Sequence, residues 1–344
     1  HFVGPRTLEM DGRRVTGQRV FIVAGARPHV PPIRGIEEVG YLDNASILEL
    51  DEAPESLLIA GGGYIACEFA HFFAAMGTRV TIVGRNPRLV PNEEPEISDL
   101  LRERLSERME VHVGYEVVEV ARSGNGLSAV ARHGPSGAHR RFEAQRMLLA
   151  TGRVPNTDLL QVERAGIATD ERGYIRVDEY LRTNVPNVWA LGDVIGVQMF
   201  KHSANRAATY AWHNSQHDHL AALDLSLTPH AVFTWPQIAS VGMREAEARR
   251  GHDILVGRAA YNDVARGLAI AEEDAFVKVI VDAESEMILG CHIIGPEAST
   301  LIQEVVNVMA RHEEAGTLGV AMRIHPALPE VVAAALANLH RHHH

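Results

Sequence analysis

Gly61-Gly62-Gly63-Tyr64-Ile65-Ala66 limits what this chain can fold into more than any other segment. An apolar, strand-like run at residues 56–60 precedes it. A helix-like stretch from Tyr64 to Met76 follows, Gly77 ends that stretch, and residues 79–83 read as the next strand. Strand, glycine turn, helix and strand make a βαβ unit, the building block of a parallel sheet. The G-x-G-x-x-A spacing then has a mechanical meaning. Gly61 permits the tight turn, Gly63 lets the backbone approach a pyrophosphate, and Ala66 leaves room for the helix against the strand. The helix N-terminus adds positive potential at the phosphates. A dinucleotide on Gly61, Gly63, Tyr64 and Ile65 is the expectation, with a purely structural glycine turn as the alternative.

The end of the second strand indicates which dinucleotide. An acidic residue there would hold the ribose hydroxyls of NAD, but this position is Gly84, followed by Arg85 and Arg88. With no carboxylate there to repel a 2′-phosphate and two cations to pair with it, NADPH is expected. The competing reading makes both arginines solvated surface residues.

Around this unit the chain alternates strands and helices. Residues 20–24 read as a buried strand leaving into a proline-rich loop at Gly25. Residues 96–108 read as a helix with Leu100, Leu101 and Leu105 on one face. Residues 111–130 read as a hairpin around Ser123-Gly124-Asn125-Gly126. The segment Val23-Ala24-Gly25-Ala26-Arg27-Pro28 is echoed by Leu149-Ala150-Thr151-Gly152-Arg153-Val154-Pro155. Either the two bracket an inserted domain, or they are unrelated strand ends. After Asn214, two strands at 276–282 and 288–295 and an amphipathic helix at 298–312 suggest a separate α+β domain. The stripe Leu301, Val305, Val306 and Met309 on that helix is expected at a two-fold homodimer interface.

Three further places carry candidate chemistry. Asp193, at the end of the strand-like run 187–193, can accept a ribose or ribityl hydroxyl, although Gly-Asp also makes ordinary turns. His325 and Glu330 lie five residues apart on a loop stiffened by Pro326 and Pro329. They suit a histidine oriented for acid–base work, against the alternative of a structural histidine. His213, His217 and His219 sit in a polar helix end with no cysteine nearby, so no metal is expected.

Composition narrows the class. The formal net charge of -11 disfavours nucleic acid and anionic membranes as partners. The two cysteines, Cys67 and Cys291, are too few for a disulfide-stapled secreted scaffold, so a reducing cytoplasmic setting is expected. No apolar stretch reads as a membrane span, because 57–77 is interrupted by three glycines, Glu68 and His71. His342–His344 reads as the remnant of a purification tag.

In order and spacing, VAGARP at 23–28, GGGYIACEFA at 61–70, ATGRVPN at 150–156, ALGDV at 190–194, FTWPQIASVG at 233–242 and IHPALPE at 324–330 resemble the flavoprotein pyridine nucleotide–disulfide oxidoreductases. The wording of the last two, with GPEASTLIQ at 295–303, is most similar to the mycothione reductase branch. The resemblance implies an α/β fold with a Rossmann-like NAD(P)-binding domain (41–149) inserted in an incomplete FAD-binding domain (1–40 and 150–222). A dimerisation domain (223–344) follows. It implies hydride transfer from NADPH to FAD, then to a Cys-x4-Cys disulfide, then to a small-molecule disulfide. Carried onto this sequence, Asp193 meets the flavin's ribityl chain, with the loops at Gly25 and Gly152 near the flavin. Tyr64 and Glu68 border the nicotinamide, and His325 with Glu330 serves the dithiol of the other subunit in a homodimer. These 344 residues contain neither the family's first G-x-G-x-x-G nor its Cys-x4-Cys, so this stretch alone is expected to hold FAD poorly. A dihydrolipoamide dehydrogenase-like enzyme and a non-catalytic dinucleotide-binding or dimerisation module stay open as alternatives.

Overall fold

The computed structural model describes residues 1–341, so the tag-like His342–His344 lies outside the described residues. The chain forms two compact units, residues 1–29 with 152–228, and residues 30–151 with 229–344.

In the first unit the short strands Val20–Ile22 and Val188–Ala190 pair in parallel, and Phe21 stacks on Trp189 at 5.3 Å. The two echoed segments lie side by side. Ala26–Pro28 pairs antiparallel with Arg153–Pro155, so the chain leaves and re-enters this unit at adjacent strands. Arg27 seals the crossing with a bidentate pair to Asp158 (2.7 and 2.8 Å), and the Asn156 amide donates to the Ala24 carbonyl at 2.8 Å.

The second unit carries the βαβ unit. Its strands are β1 (Ser56–Ala60), β2 (Arg79–Gly84), β3 (Glu110–Val113), β4 (Tyr115–Ser123), β5 (Gly126–His133), β6 (His139–Ala144), β7 (Arg146–Leu149), β8 (His230–Val232), β9 (Ile238–Gly242), β10 (Ile254–Ala260), β11 (Phe276–Asp282) and β12 (Ile288–Ile294). The longer helices are α1 (Tyr64–Ala75), α2 (Pro95–Ser106), α3 (Ala298–Ala310) and α4 (Pro329–Ala337). Strands β7, β1, β2 and β3 form a parallel sheet in that order. β1 is buried along its whole length, which is why it reads as a continuous apolar run rather than an alternation.

The expected hairpin is β4–β5, closed by Gly124-Asn125 with Ser123 opposite Gly126. It begins later than its pattern suggests. Gly114, at φ +78°, turns the chain between β3 and β4, so residues 110–113 join the parallel sheet instead.

Strands β8, β9, β12, β11 and β10 form an antiparallel sheet in that order. α3 packs on β9 and β12, and α4 on β10 and β11. This sheet and the parallel one share a core, with Val232, Ile238, Phe276 and Ile294 packed together with Ile59, Phe73, Ile97 and Leu101.

One expectation is corrected here. Leu301, Val305 and Met309 of α3 are buried in their own unit, at 4%, 0% and 4% exposure, and only Val306 of the stripe is left half-buried, so most of the stripe is already covered within the chain. The reason is the sheet beneath it: β9 and β12 need an apolar cover on one face, and α3 supplies it. The exposed apolar side chains of this region lie instead beyond α3, at Val320, which ends the short helix Thr317–Val320, and at Met322 and Ile324 after it.

Candidate functional site

The glycine turn between β1 and α1 is built as its spacing requires. Gly61 adopts φ +135°, and a Cβ there would lie 2.2 Å from the Ala150 carbonyl oxygen, so only glycine fits. Gly62 packs over Leu89 and against Gly84. Gly63 is the N-cap of α1 and faces open space, since a Cβ built there would meet nothing within 4 Å. No side chain caps α1 and its first turn contains no acid, leaving its N–H groups and positive dipole end uncompensated by protein. Such an arrangement fits a pyrophosphate.

Tyr64, Ile65 and Glu68 are half-buried on the first turns of α1. Tyr64 and Glu68 are one helical turn apart and so share a face. Glu68 accepts a hydrogen bond from the Phe233 backbone N–H at 2.9 Å, tying α1 to the segment that follows β8. Burial raises the Glu68 carboxyl above its ordinary range, and the Phe233 N–H offsets only part of that.

At the end of β2 the two arginines differ. Arg85 is exposed and, among the described residues, forms no ion pair. Arg88 is engaged: its Nε lies 3.0 Å from Asp99 Oδ1 and its terminal amine 3.2 Å from Oδ2. Of the two cations expected to pair with a 2′-phosphate, Arg88 is thus held by Asp99, because α2 folds back and brings that carboxylate to it.

His325 and Glu330 meet. His325 Nδ1 lies 2.9 Å from Glu330 Oε1, and the other carboxylate oxygen accepts the Ala327 N–H at 2.9 Å. That backbone bond first, then the imidazole, holds the Glu330 carboxyl below its ordinary range, which favours a proton on the Nδ1 that faces it. The imidazole ring itself is exposed.

In the first unit, Asp193 follows Val188–Ala190 on a short turn starting at Gly192 (φ +77°), with one carboxylate oxygen 3.5 Å from Arg153 Nε. Gly25 and Gly152 both have positive φ, and a Cβ at either would meet nothing within 4 Å. A partly exposed carboxylate beside open glycine turns fits a hydroxylated chain such as the ribityl group. His213 and His217 stack on each other at 4.5 Å and each directs a ring nitrogen at a backbone carbonyl.

Residues 1–214 match the model of the pyridine nucleotide-disulphide oxidoreductase family, and residues 228–336 match the dimerisation domain of the same proteins. The chain belongs to the pyridine nucleotide–disulphide oxidoreductases. Members of this family are FAD-dependent enzymes that couple a pyridine nucleotide to a disulfide, and the chain is part of that enzyme class. Among relatives, mycothione reductase of Mycobacterium tuberculosis is 38% identical, over 95% of this chain and 72% of its own length. A dihydrolipoyl dehydrogenase of Thermus scotoductus is 31% identical, over 99% of this chain and 74% of its own. Among solved structures, the HOCl-induced flavoprotein disulfide reductase RclA from Escherichia coli is 30% identical with a TM-score of 0.88. It covers 98% of this chain and 77% of its own.

Sequence reasoning missed a buried ionic cluster that links the two sheets of this second unit. Lys278 Nζ on β11 lies 2.6 Å from Glu96, 2.7 Å from Glu245 and 3.2 Å from Glu94. Glu93 takes His230 Nε2 at 2.6 Å and the Ser240 hydroxyl at 2.6 Å. His292, directly across from Lys278 on β12, is held neutral by burial and sits with Nε2 3.0 Å from the Met243 carbonyl. A signal was present. A single lysine inside Phe276-Val277-Lys278-Val279-Ile280-Val281 has no reason to exist in a buried strand without anionic partners.

Proposed function

We propose that this protein is an NADPH-dependent flavoprotein disulfide reductase, acting in the cytoplasm as a homodimer on a low-molecular-weight disulfide of the mycothione type. The observation that carries the cofactor choice is the end of β2. Gly84 stands where an acidic ribose ligand would be needed for NADH, and Arg85 stands beside it without an ion pair among the described residues. The mycothione assignment rests on the 38% identity to mycothione reductase along almost the whole chain.

FAD, when bound, supplies the two-electron relay between the nicotinamide and the disulfide. The rest is done by side chains and backbone of this chain. The Gly61 turn and the N-terminus of α1 hold the pyrophosphate, and Arg85 pairs with the 2′-phosphate. Tyr64 and Glu68 border the nicotinamide and keep water from it, while Asp193 accepts a ribityl hydroxyl. His325, as an imidazolium with a proton on Nε2 as well as Nδ1, gives the Nε2 proton to the thiolate leaving the substrate, and Glu330 accepts from Nδ1–H and stabilises the cation. In the homodimer that imidazole serves the neighbouring subunit's dithiol.

Arg85→Glu tests the cofactor choice. The exchange replaces a charge-assisted pair by repulsion, so NADPH affinity should fall about tenfold or more while NADH affinity holds or rises. Fluorescence titration of both nucleotides reads this out. Equal affinity of the unmutated chain for NADPH and NADH would contradict the assignment. The second reading, a dihydrolipoyl dehydrogenase, is favoured by the 31% identity to that enzyme and predicts NADH as the tighter ligand.

A further inference from the structure

We infer that Asp99 is a positioning residue for cofactor choice: it holds Arg88 in a bidentate pair that a 2′-phosphate must break, and so sets how strongly NADPH is preferred over NADH. The inference rests on the NADPH reading above and assigns a residue that neither the glycine motif nor the strand end points to.

The loop from Gly84 to Val90 is fixed at three points. The Val90 N–H donates to the Gly62 carbonyl at 2.7 Å, and the Gly114 N–H donates to the Asn86 carbonyl at 2.9 Å. Leu89 is fully buried beneath Gly62. A loop pinned to the glycine turn itself places Arg85 and Arg88 beside the same ribose position, with only side-chain rotation left to each.

Their charges are not equally available. Arg88 Nε and its terminal amine meet the two oxygens of Asp99 at 3.0 and 3.2 Å, a fork-to-fork pair of the kind a phosphate also accepts. Both side chains are about half exposed, at 46% and 55%. An exposed pair of this kind is weak and exchangeable. Arg85 therefore offers a standing attraction, whereas Arg88 offers one only when it leaves Asp99. The released carboxylate then lies near a dianionic phosphate and repels it, which further lowers the gain. Nothing in this exchange touches NADH, which has no group for Arg88 to take.

The test is equilibrium binding of adenosine 2′,5′-bisphosphate and adenosine 5′-monophosphate to the full chain, by calorimetry at low and high salt. The variants are Asp99→Asn, Arg88→Gln, Arg85→Gln and the Asp99→Asn/Arg88→Gln double. Asp99→Asn should tighten the bisphosphate roughly three- to fivefold and leave the monophosphate unchanged. The gain should shrink at high salt and vanish when Arg88 is also removed. A general effect of fold stability would move both ligands together. Unchanged bisphosphate affinity in Asp99→Asn, with weakened binding in Arg88→Gln, would overturn the role of Asp99 and leave the NADPH reading standing. Equal tightening of both ligands would also overturn it. If neither arginine variant alters the ratio of the two affinities, the NADPH reading falls and the role of Asp99 falls with it.

Discussion

Replacing Lys278 with methionine should destabilise the protein by about 3–5 kcal/mol, the cost of removing one partner from a buried ionic group. Lys278 is 4% exposed and Glu94 2% exposed, so Glu94 and Glu96 would lose the cation they share and Glu245 would keep only Arg249, at 2.6 Å. Those residues come from the start of α2 and the turn after β9, so the loss falls on the joint between the two sheets. Urea unfolding measures it directly. A change below about 1 kcal/mol would mean that water or another cation already balances the cluster. Adding Glu245→Gln to the lysine variant should recover part of the loss, because the two residues share one network.

The same cluster gives a direction with pH. Burial works against the Glu245 carboxylate, but Lys278 and Arg249 outweigh it and hold its pKa below the ordinary 4.5. For Glu93 burial is again opposed and outweighed, chiefly by His230. A carboxylate with a lowered folded-state pKa contributes stability that is complete above its unfolded value and is lost as pH falls through the folded one. The joint should therefore weaken in acid below about pH 4.5, and Glu245→Gln should flatten that part of the stability–pH curve.

His325→Ala, in the enzyme carrying its flavin and redox cysteines, should slow thiol–disulfide exchange about 10²–10⁴-fold, the usual worth of a positioned acid–base group. The first half-reaction, followed by loss of oxidised-flavin absorbance on adding NADPH, should stay within about twofold, since the role proposed for the imidazole lies in the second. Glu330→Gln keeps the hydrogen-bonding shape but removes the charge that fixes the Nδ1 proton, so its loss should be smaller and in the same step. Mixing His325→Ala subunits with subunits lacking the redox cysteines should restore one working site per heterodimer. No recovery on mixing would remove the arrangement across the two-fold axis.

How much of this was legible in the sequence follows from how local each signal is. The glycine turn needs only residues 56–84, and its reading as a strand–turn–helix–strand unit agrees with the structure because tight turns and helix ends are set by near neighbours. The His325–Glu330 pair was legible for the same reason, five residues apart on a loop stiffened by two prolines. Asp99 was not. Nothing in its own helix distinguishes it from any solvated acid, and its pairing with Arg88 depends on where α2 lands after the loop. The stripe on α3 was misread for a related reason. An apolar helical face says that something covers it, and only the fold reveals whether that cover is the chain's own sheet or another subunit. Lys278 lies between these cases, since its strand context announced a buried charge but could not name partners from residues 94, 96 and 245.

The central claim is that a pyridine nucleotide sits on the turn at Gly61–Gly63, and the NADPH affinity of a Gly63→Asp variant tests it most directly. Gly63 has φ -83° and ψ -176°, which any residue adopts, and open space where a side chain would go. Aspartate is a good N-cap, so the variant should fold and its melting temperature should hold or rise slightly. The new carboxylate would stand where the pyrophosphate must lie, and NADPH affinity should fall at least about a hundredfold. NADPH binding that is unchanged in a folded Gly63→Asp protein would contradict the account and place the nucleotide elsewhere.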